Sequence, residues 1–338
     1  MPMVIGNLTL KSDLILAPLD GYGDAPFRLL CRAHGAALSY VPIVPDEAVL
    51  TRRRSRPSAL CFYERERPVG VQLLSRDPER LVQAIGRVAL LEPALIDLNM
   101  GCPARKVVSG GRGARLMLEP ELIGRLMAAA VRCSPVPVTA KIRLGWDDGS
   151  RNHIEVARIL EQNGASAIAV HGRTRAQVYG GKADWDAIRA VREAVSIPVI
   201  ANGDVADTAS ADAILAQTGC EVAMVARGAI GNPWLFSRRD LADVSLAERL
   251  RVVSRHLSMS VLHYGEERGV VSFRKHVVHY IKGLPGAGAV RLNLMHAKTA
   301  DELRGLLANY AGLEADDRDV LYAETMTETA EWLGELCA

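Results

Sequence analysis

The chain has 338 residues, 49% of them apolar and 24% charged, with a formal net charge of +2. That composition is ordinary for a soluble globular protein, and a chain this long buries a core without disulfide or metal staples. The charge is too small to announce a polyanionic partner by itself. The six cysteines form no CxxC pair, and their irregular gaps argue against a zinc site or a disulfide framework.

Reduced thiols in a cytoplasm are expected. The N-terminal stretch MPMVIGNLTLKSD lacks the basic start and long apolar core of a signal peptide. No stretch reaches the ~18 uncharged apolar residues of a membrane helix. The expectation is a cytoplasmic protein with no membrane partner. Short apolar runs then recur along the chain. They are DLILAPL (13–19), LSYVPIV (38–44), PVGVQLL (68–74), LIDLNMG (95–101), PVTAKIRL (137–144), AIAVHGR (167–173), PVIANGD (198–204) and VAMVARG (222–228). Segments of helical period, such as ERLVQAIGRVALL and DAIRAVREAV, separate most of them. Continuous apolar strands alternating with helices predict a parallel sheet covered on its outer side. Eight such units predict an α/β fold of the (β/α)8 TIM-barrel kind. A doubly wound sheet is the alternative, although the early strands carry no dinucleotide fingerprint for it.

After residue 235 the character changes. LAERLRVVSRHLSMSVLHYG, FRKHVVHYIKGL and ADELRGLLANYAGL read as amphipathic helices. The predicted division is a barrel over 1–236 and a smaller all-helical domain over 237–338. Between 238 and 298, 11 Lys/Arg stand against 5 Asp/Glu, accompanied by five histidines; from 301 to 338 the balance is 2 against 10. The basic stretch reads either as a polyanion contact or as solvated helix faces, and the acidic tail as solvated faces.

Catalytic residues of such barrels sit where strands end at the C-terminal face. The strand ends supply Asp20, Gln72, Asn99 with Cys102, Lys141 with Arg143, His171 with Arg173, Asn202 with Asp204, and Arg227. A lone strand-end asparagine is more often a turn former, and a lone lysine is usually solvated. Their coincidence on one rim predicts a common site. ANGDV (201–205) and ARGAIGNPWLF (226–236) follow the last two strands, where barrels often bind phosphate on free backbone amides. Gly203, Gly228 and Gly231 allow close approach there, and Arg227 adds a bidentate cation. Helix caps with tight turns are the plainer reading. Lys141 lies inside TAKIRL, and pointing inward it is costly without an anionic or electron-rich partner. A flavin ring, which gains negative charge at N1 on reduction, is such a partner. Gln72 matches its pyrimidine edge, and APLDG (17–21) brings backbone close to a planar ring. Together these features predict FMN, phosphate at the last two strands and ring over the mouth. SGGRGARLM (109–117) lacks the GxGxxG spacing, so it reads as a flexible active-site loop rather than a second nucleotide site.

The segments APLDGYGDAPFR, VQLL, DLNMGCPARKV, GGRGARLM, KIRLGW, VHGRTRAQVYGG, PVIANGDV, ARGAIGNPW and FRKHVVHYIKGLPGA run in order over roughly residues 5 to 300. In this combination they resemble the bacterial tRNA-dihydrouridine synthases, most closely the B type. The set of LNMGCP, HGRT and IANGD carries the specificity. The resemblance implies an FMN barrel followed by a helical RNA-binding domain, reducing the C5–C6 bond of uridine in tRNA with NADPH as electron source. It places Ala17, Pro18, Leu19, Gln72, Lys141, His171, Asn202, Gly203, Asp204, Ala226 and Arg227 around FMN. It makes Cys102 the catalytic acid and sets Asn99 near the target base. The chain departs from the pattern in carrying Leu19 for a usual methionine, Gly23 for threonine and Ala226 for glycine, and Asp20 adds a carboxylate at the mouth.

Uracil reduction requires a hydride at C6 and a proton at C5 from the opposite side. An unperturbed thiol is protonated near neutral pH yet able to release its proton. A cation beside it would weaken the acid, so Arg105 and Lys106 are expected to direct their charges away from sulfur. A small buried cysteine is the plainer reading for Cys31, Cys133 and Cys220. RNA contacts are expected from Arg143, Arg173 and Arg175 at the rim and from Arg274, Lys275 and Lys282 on the helices. Two readings compete: a flavin reductase of a free pyrimidine or small enone, and a non-catalytic RNA-binding barrel. The basic helices oppose the first, and Cys102 with Lys141 the second. A monomer without metal is expected.

Overall fold

The computed structural model describes residues 2–51 and 60–312, together with Thr329. The tail from residue 313 onward otherwise lies outside the described residues, so most of the predicted acidic segment does too. A two-stranded antiparallel hairpin comes first, β1 (Val4–Ile5) with β2 (Leu8–Thr9). Eight strands follow: β3 (Leu14–Leu16), β4 (Ser39–Pro45), β5 (Val69–Leu74), β6 (Leu95–Asn99), β7 (Val138–Arg143), β8 (Ala167–His171), β9 (Val199–Asn202) and β10 (Val222–Val225). They form one sheet in the order β3-β10-β9-β8-β7-β6-β5-β4, and the paired strands are parallel. The ring closes between its ends: the Leu16 N–H donates to Leu38 O at 2.9 Å, and the Ala37 N–H to Leu14 O at 2.8 Å. All eight predicted runs coincide with these strands, and the fold is the expected TIM barrel.

Helices α1 (Ala25–Ala33), α2 (Asp46–Thr51), α3 (Pro78–Ala89), α4 (Arg105–Ser109), α5 (Pro120–Cys133), α6 (His153–Gln162), α7 (Trp185–Ala194) and α8 (Thr208–Thr218) follow successive strands. Asp24, Asp77, Asp184 and Asp207 begin four of them by accepting from backbone N–H groups of the first turn. Their inner faces bury Leu81, Ile85, Leu126, Leu160, Ile188 and Ile214 against outward strand residues such as Val71, Ile96, Ala140 and Ile168. The N-terminal hairpin, which the sequence did not announce, plugs the strand-start end. Met3, Ile5 and Leu10 join Ile15, Leu95, Val222 and Met224 in an apolar floor inside the ring.

The C-terminal helices are α9 (Leu246–Tyr264), α10 (Glu266–Tyr280), α11 (Ala287–His296) and α12 (Ala300–Ala311). Three match predicted segments; α11, with its small-residue start, has no predicted counterpart. They share a second apolar cluster in which Leu257, Phe273, Val277, Leu294 and Leu303 meet Leu30 and Trp234 from the barrel. Contact between the two parts is close. Gly231, at φ +75°, faces α10 so tightly that a Cβ there would lie 2.5 Å from the His279 backbone. Tyr63 and His263 share a hydrogen bond of 2.8 Å between Oη and Nδ1. No helix among the described residues is long and apolar enough to cross a membrane.

Candidate active site

Side chains alternate along a strand, so residues two apart point to the same face. In β6 this sets Leu95, Asp97 and Asn99 inside the ring, and in β7 Thr139 and Lys141. Gln72 of β5 joins them. The upper interior is therefore polar, and its groups are linked. Thr139 Oγ1 donates to Asp97 Oδ1 at 2.6 Å, and Gln72 Nε2 donates to Asp97 Oδ2 at 2.6 Å. Asn99 Nδ2 donates to Gln72 Oε1 at 2.8 Å. Asn99 Oδ1 in turn accepts the backbone N–H of Cys102 at 2.9 Å and of Gly101 at 3.3 Å. A buried carboxylate thus fixes, through two amides, the start of the loop that carries the thiol. Gln72 keeps one N–H and one lone pair for a ligand.

Beside Asn99 on the neighbouring strand, Lys141 reaches the other way: its Nζ donates to Asn202 Oδ1 at 2.7 Å, and Asn202 Nδ2 donates to Met224 O at 2.8 Å. Burial pulls the Lys141 ammonium down to about 7, and the nearby Arg143 adds to this. Burial pushes Asp97 up to about 6, opposed by its hydrogen bonds to Thr139 and Gln72 and by the charge of Lys141. His171 is buried, and its imidazole is held neutral, far below its ordinary value. Desolvation is the main cause, followed by the charges of Lys141, Arg143, Arg173 and Arg227. Arg143, Arg173 and Arg227 around one neutral ring, with Asp204 paired to Arg173, leave this end of the mouth electropositive.

Not all of those cations are open to solvent. Arg143 and Arg173 are each 2% exposed. Arg143 donates to the carbonyls of Gly101 (2.8 Å), Thr174 (2.8 Å) and Val178 (2.9 Å). Arg173 donates to Gly180 O at 3.0 Å, Gly181 O at 2.6 Å and the Asp204 carboxylate at 2.8 Å. Both were expected at the rim for RNA, and in the structure they are turned inward. Their guanidinium groups fold back to satisfy loop carbonyls that no strand can pair. Asp204, at φ +59°, is held by Arg173 and by the Ala183 N–H. Gly203 takes φ +133°, and a Cβ there would strike Ala183 at 2.7 Å. Arg227 is exposed and lies 4.6 Å from the Tyr179 ring centroid. Ala17 is buried, with Pro18, Leu19 and Ala226 half-buried beside the mouth.

Cys102 is half-buried on the loop after β6, and its carbonyl accepts from the Ala114 N–H at 3.0 Å. Burial pushes its thiol pKa up. Asp20 adds to the rise, while the Ala104 N–H, Arg143 and Lys141 oppose it. The thiol is therefore more firmly protonated than the unperturbed group expected. The cations acting on it come from β7; Arg105 and Lys106 stand exposed on α4.

Among the other expected RNA contacts, Arg175 lies 4.4 Å over the Trp146 ring. Arg274 Nε donates to Ala297 O at 2.8 Å, Lys275 sits 5.7 Å over the Tyr22 ring, and Lys282 is exposed. His256 and His276, counted with the basic stretch, are fully buried, and desolvation keeps both neutral. They belong to the helical core and add no charge. Sequence reasoning missed Asp97 and Thr139. The signal for Asp97 was available: a carboxylate inside an apolar strand run, as informative as the lysine two strand positions away.

Residues 15–314 match the family profile described as Dihydrouridine synthase (Dus). The tRNA-dihydrouridine synthase B of Pseudomonas aeruginosa is 40% identical over 305 residues, covering 88% of this chain and 92% of that protein. A probable tRNA-dihydrouridine synthase of Rickettsia conorii is 40% identical, with 86% and 92% covered. One from Mycobacterium tuberculosis is 36% identical, with 91% and 84% covered. Among solved structures, histamine dehydrogenase from Rhizobium sp. 4-9 shares the barrel fold with a TM-score of 0.52 and 14% identity, over 76% of this chain and half of that longer one. By profile and by relatives of near-equal length, the chain belongs to the dihydrouridine synthase family.

Proposed function

We propose that this protein binds FMN in the barrel mouth and reduces the C5–C6 bond of a uridine in tRNA to dihydrouridine, with NADPH as electron source. The observation that carries the reading is the linked set Thr139–Asp97–Gln72–Asn99, which anchors the Cys102 loop beside Lys141 on the neighbouring strand. The residues present fit FMN. Lys141 offers a desolvated ammonium to an electron-rich ring, and Gln72 retains donor and acceptor capacity for its edge. His171, Arg227 and the backbone of Gly203, Asp204 and Ala226 line the electropositive end suited to its phosphate. Ala17, Pro18 and Leu19 supply the backbone beside the ring, and Asn202 orients Lys141. When bound, the flavin supplies the hydride for C6.

The chain's own residues do the rest. Asn99 holds the loop and stands next to the base, and Cys102 carries the proton for C5, its burial keeping the thiol protonated at neutral pH. Lys275, Lys282 and Arg274 on the helical domain from 237 meet tRNA phosphates. Those contacts offset the few kcal/mol needed to extract a stacked base. The protein acts as a cytoplasmic monomer without metal. Purified protein should be yellow with one non-covalent FMN per chain, and RNA from cells lacking it should lose dihydrouridine at defined positions. A colourless protein indifferent to added FMN overturns the reading.

A further inference from the structure

The loops after β5, β6, β7 and β8 enclose a groove of about 640 Å3, lined by Arg76, Arg105, Arg115 and Arg175 with Trp146 and Glu119. Four guanidinium groups meet one carboxylate there, and Glu119 engages only Arg76, at 3.4 Å on an open surface. Arg175 lies 4.4 Å over the Trp146 ring and Arg115 lies 5.6 Å from it. The Nε of Arg175 is buried and has no hydrogen-bond partner. A guanidinium stacked on an indole offers a flat cationic surface to a planar base bearing phosphate. The groove also adjoins the catalytic loop. Arg105 is three residues beyond Cys102, so their Cα atoms are at most about 11 Å apart.

We infer that this groove binds the adenosine-phosphate end of NADPH, which rests on the reading of the protein as an NADPH-dependent reductase. The arginines take the 2′-phosphate and diphosphate, and adenine lies against the Trp146–Arg175 stack. The volume falls within the range of about 300–1,000 Å3 common to small-molecule sites. An RNA strand, by contrast, is tracked along an extended surface. Four cations against one anion also suit a ligand with a 2′-phosphate, which adds a charge of about −1.5 to −2. The groove therefore selects NADPH over NADH. Gly111, whose Cβ would meet the Arg76 guanidinium at 2.8 Å, makes room for that cation. The glycine-rich segment 109–117 thus serves a nucleotide after all, through the arginines it accommodates and not through a backbone cradle.

Calorimetric titration of the flavin-loaded protein with adenosine 2′,5′-bisphosphate, which donates no hydride, tests this directly. Wild type binds it, and the double variant Arg76→Ser/Arg105→Ser binds about tenfold more weakly or worse. Both side chains are exposed, so the fold is kept. In stopped-flow flavin reduction, the apparent Kd for NADPH rises by a similar factor. The NADH value rises less than the NADPH value, while the limiting rate and the affinity for tRNA hold. No binding by wild type, or equal binding by the variant, overturns the inference. So does a loss of tRNA affinity at unchanged bisphosphate affinity, which assigns the groove to RNA. A protein that binds the bisphosphate but takes up no flavin refutes the proposed function and leaves the groove's assignment standing.

Discussion

The two ends of the barrel interior are built from the same strands and differ in kind. At the floor, Ile5, Leu10, Ile15, Leu95 and Val222 form a dry apolar plug. One or two strand positions higher, Asp97, Asn99, Thr139, Lys141 and Asn202 replace them. The floor follows the rule for a core and needs only apolar area. The mouth violates it, since a buried carboxylate and ammonium are expensive unless paired and hydrogen-bonded. Hydrogen bonds satisfy Asp97 from two sides, yet its pKa is still raised and that of Lys141 still lowered. A strand that changes from one regime to the other within two residues marks where folding ends and chemistry begins.

That contrast can be broken at either end. Cys102→Ala should have the largest effect, a ~10²–10⁴-fold loss of dihydrouridine formation, with flavin content and reduction by NADPH retained. Single-turnover assays on undermodified tRNA measure it, and equal rates would make the cysteine structural. Leu10→Ala, in the floor, should do the reverse. Urea unfolding should show a loss of ~2–5 kcal/mol, while turnover per folded molecule stays the same. Lys141→Met keeps volume but removes the ammonium, and equilibrium dialysis should show FMN affinity falling about tenfold.

The last test concerns pH. The Lys141 ammonium is lowered from its ordinary 10.5 to about 7 in the fold, so between those values the unfolded chain holds a proton that the native one lacks. Stability of the flavin-free protein should therefore rise as pH climbs from about 7 towards 10.5, by this group's contribution. Thermal unfolding across that window should show a shallower rise in Lys141→Met. Identical slopes would mean that Lys141 keeps its ordinary pKa.

The eight strands were legible because parallel barrel strands are buried on both faces and leave continuous apolar runs. The site was legible where a polar residue stands at the end of such a run, as Gln72, Asn99, Lys141 and Asn202 do. Direction was not. Nothing in HGRT says whether Arg173 reaches outward to a phosphate or folds back onto Gly180, Gly181 and Asp204, because unpaired loop carbonyls exist only in three dimensions. Asp97 itself stood out as a carboxylate inside an apolar run, but its partners did not: only the registry of Gln72 opposite Asp97 and Thr139 beyond it reveals the network. The hairpin β1–β2 is too short to leave a period.

That hairpin has a kinetic consequence. With Met3, Ile5 and Leu10 stopping the bottom of the ring, the barrel is a blind well with one doorway. On the proposed function, whatever delivers electrons and whatever receives them would use this one opening, one after the other. Visitors would then queue, the spent pyridine nucleotide vacating the mouth before a base enters. Initial-rate plots against one substrate at several fixed levels of the other should then give parallel lines, and a large excess of RNA should slow the enzyme by holding the door.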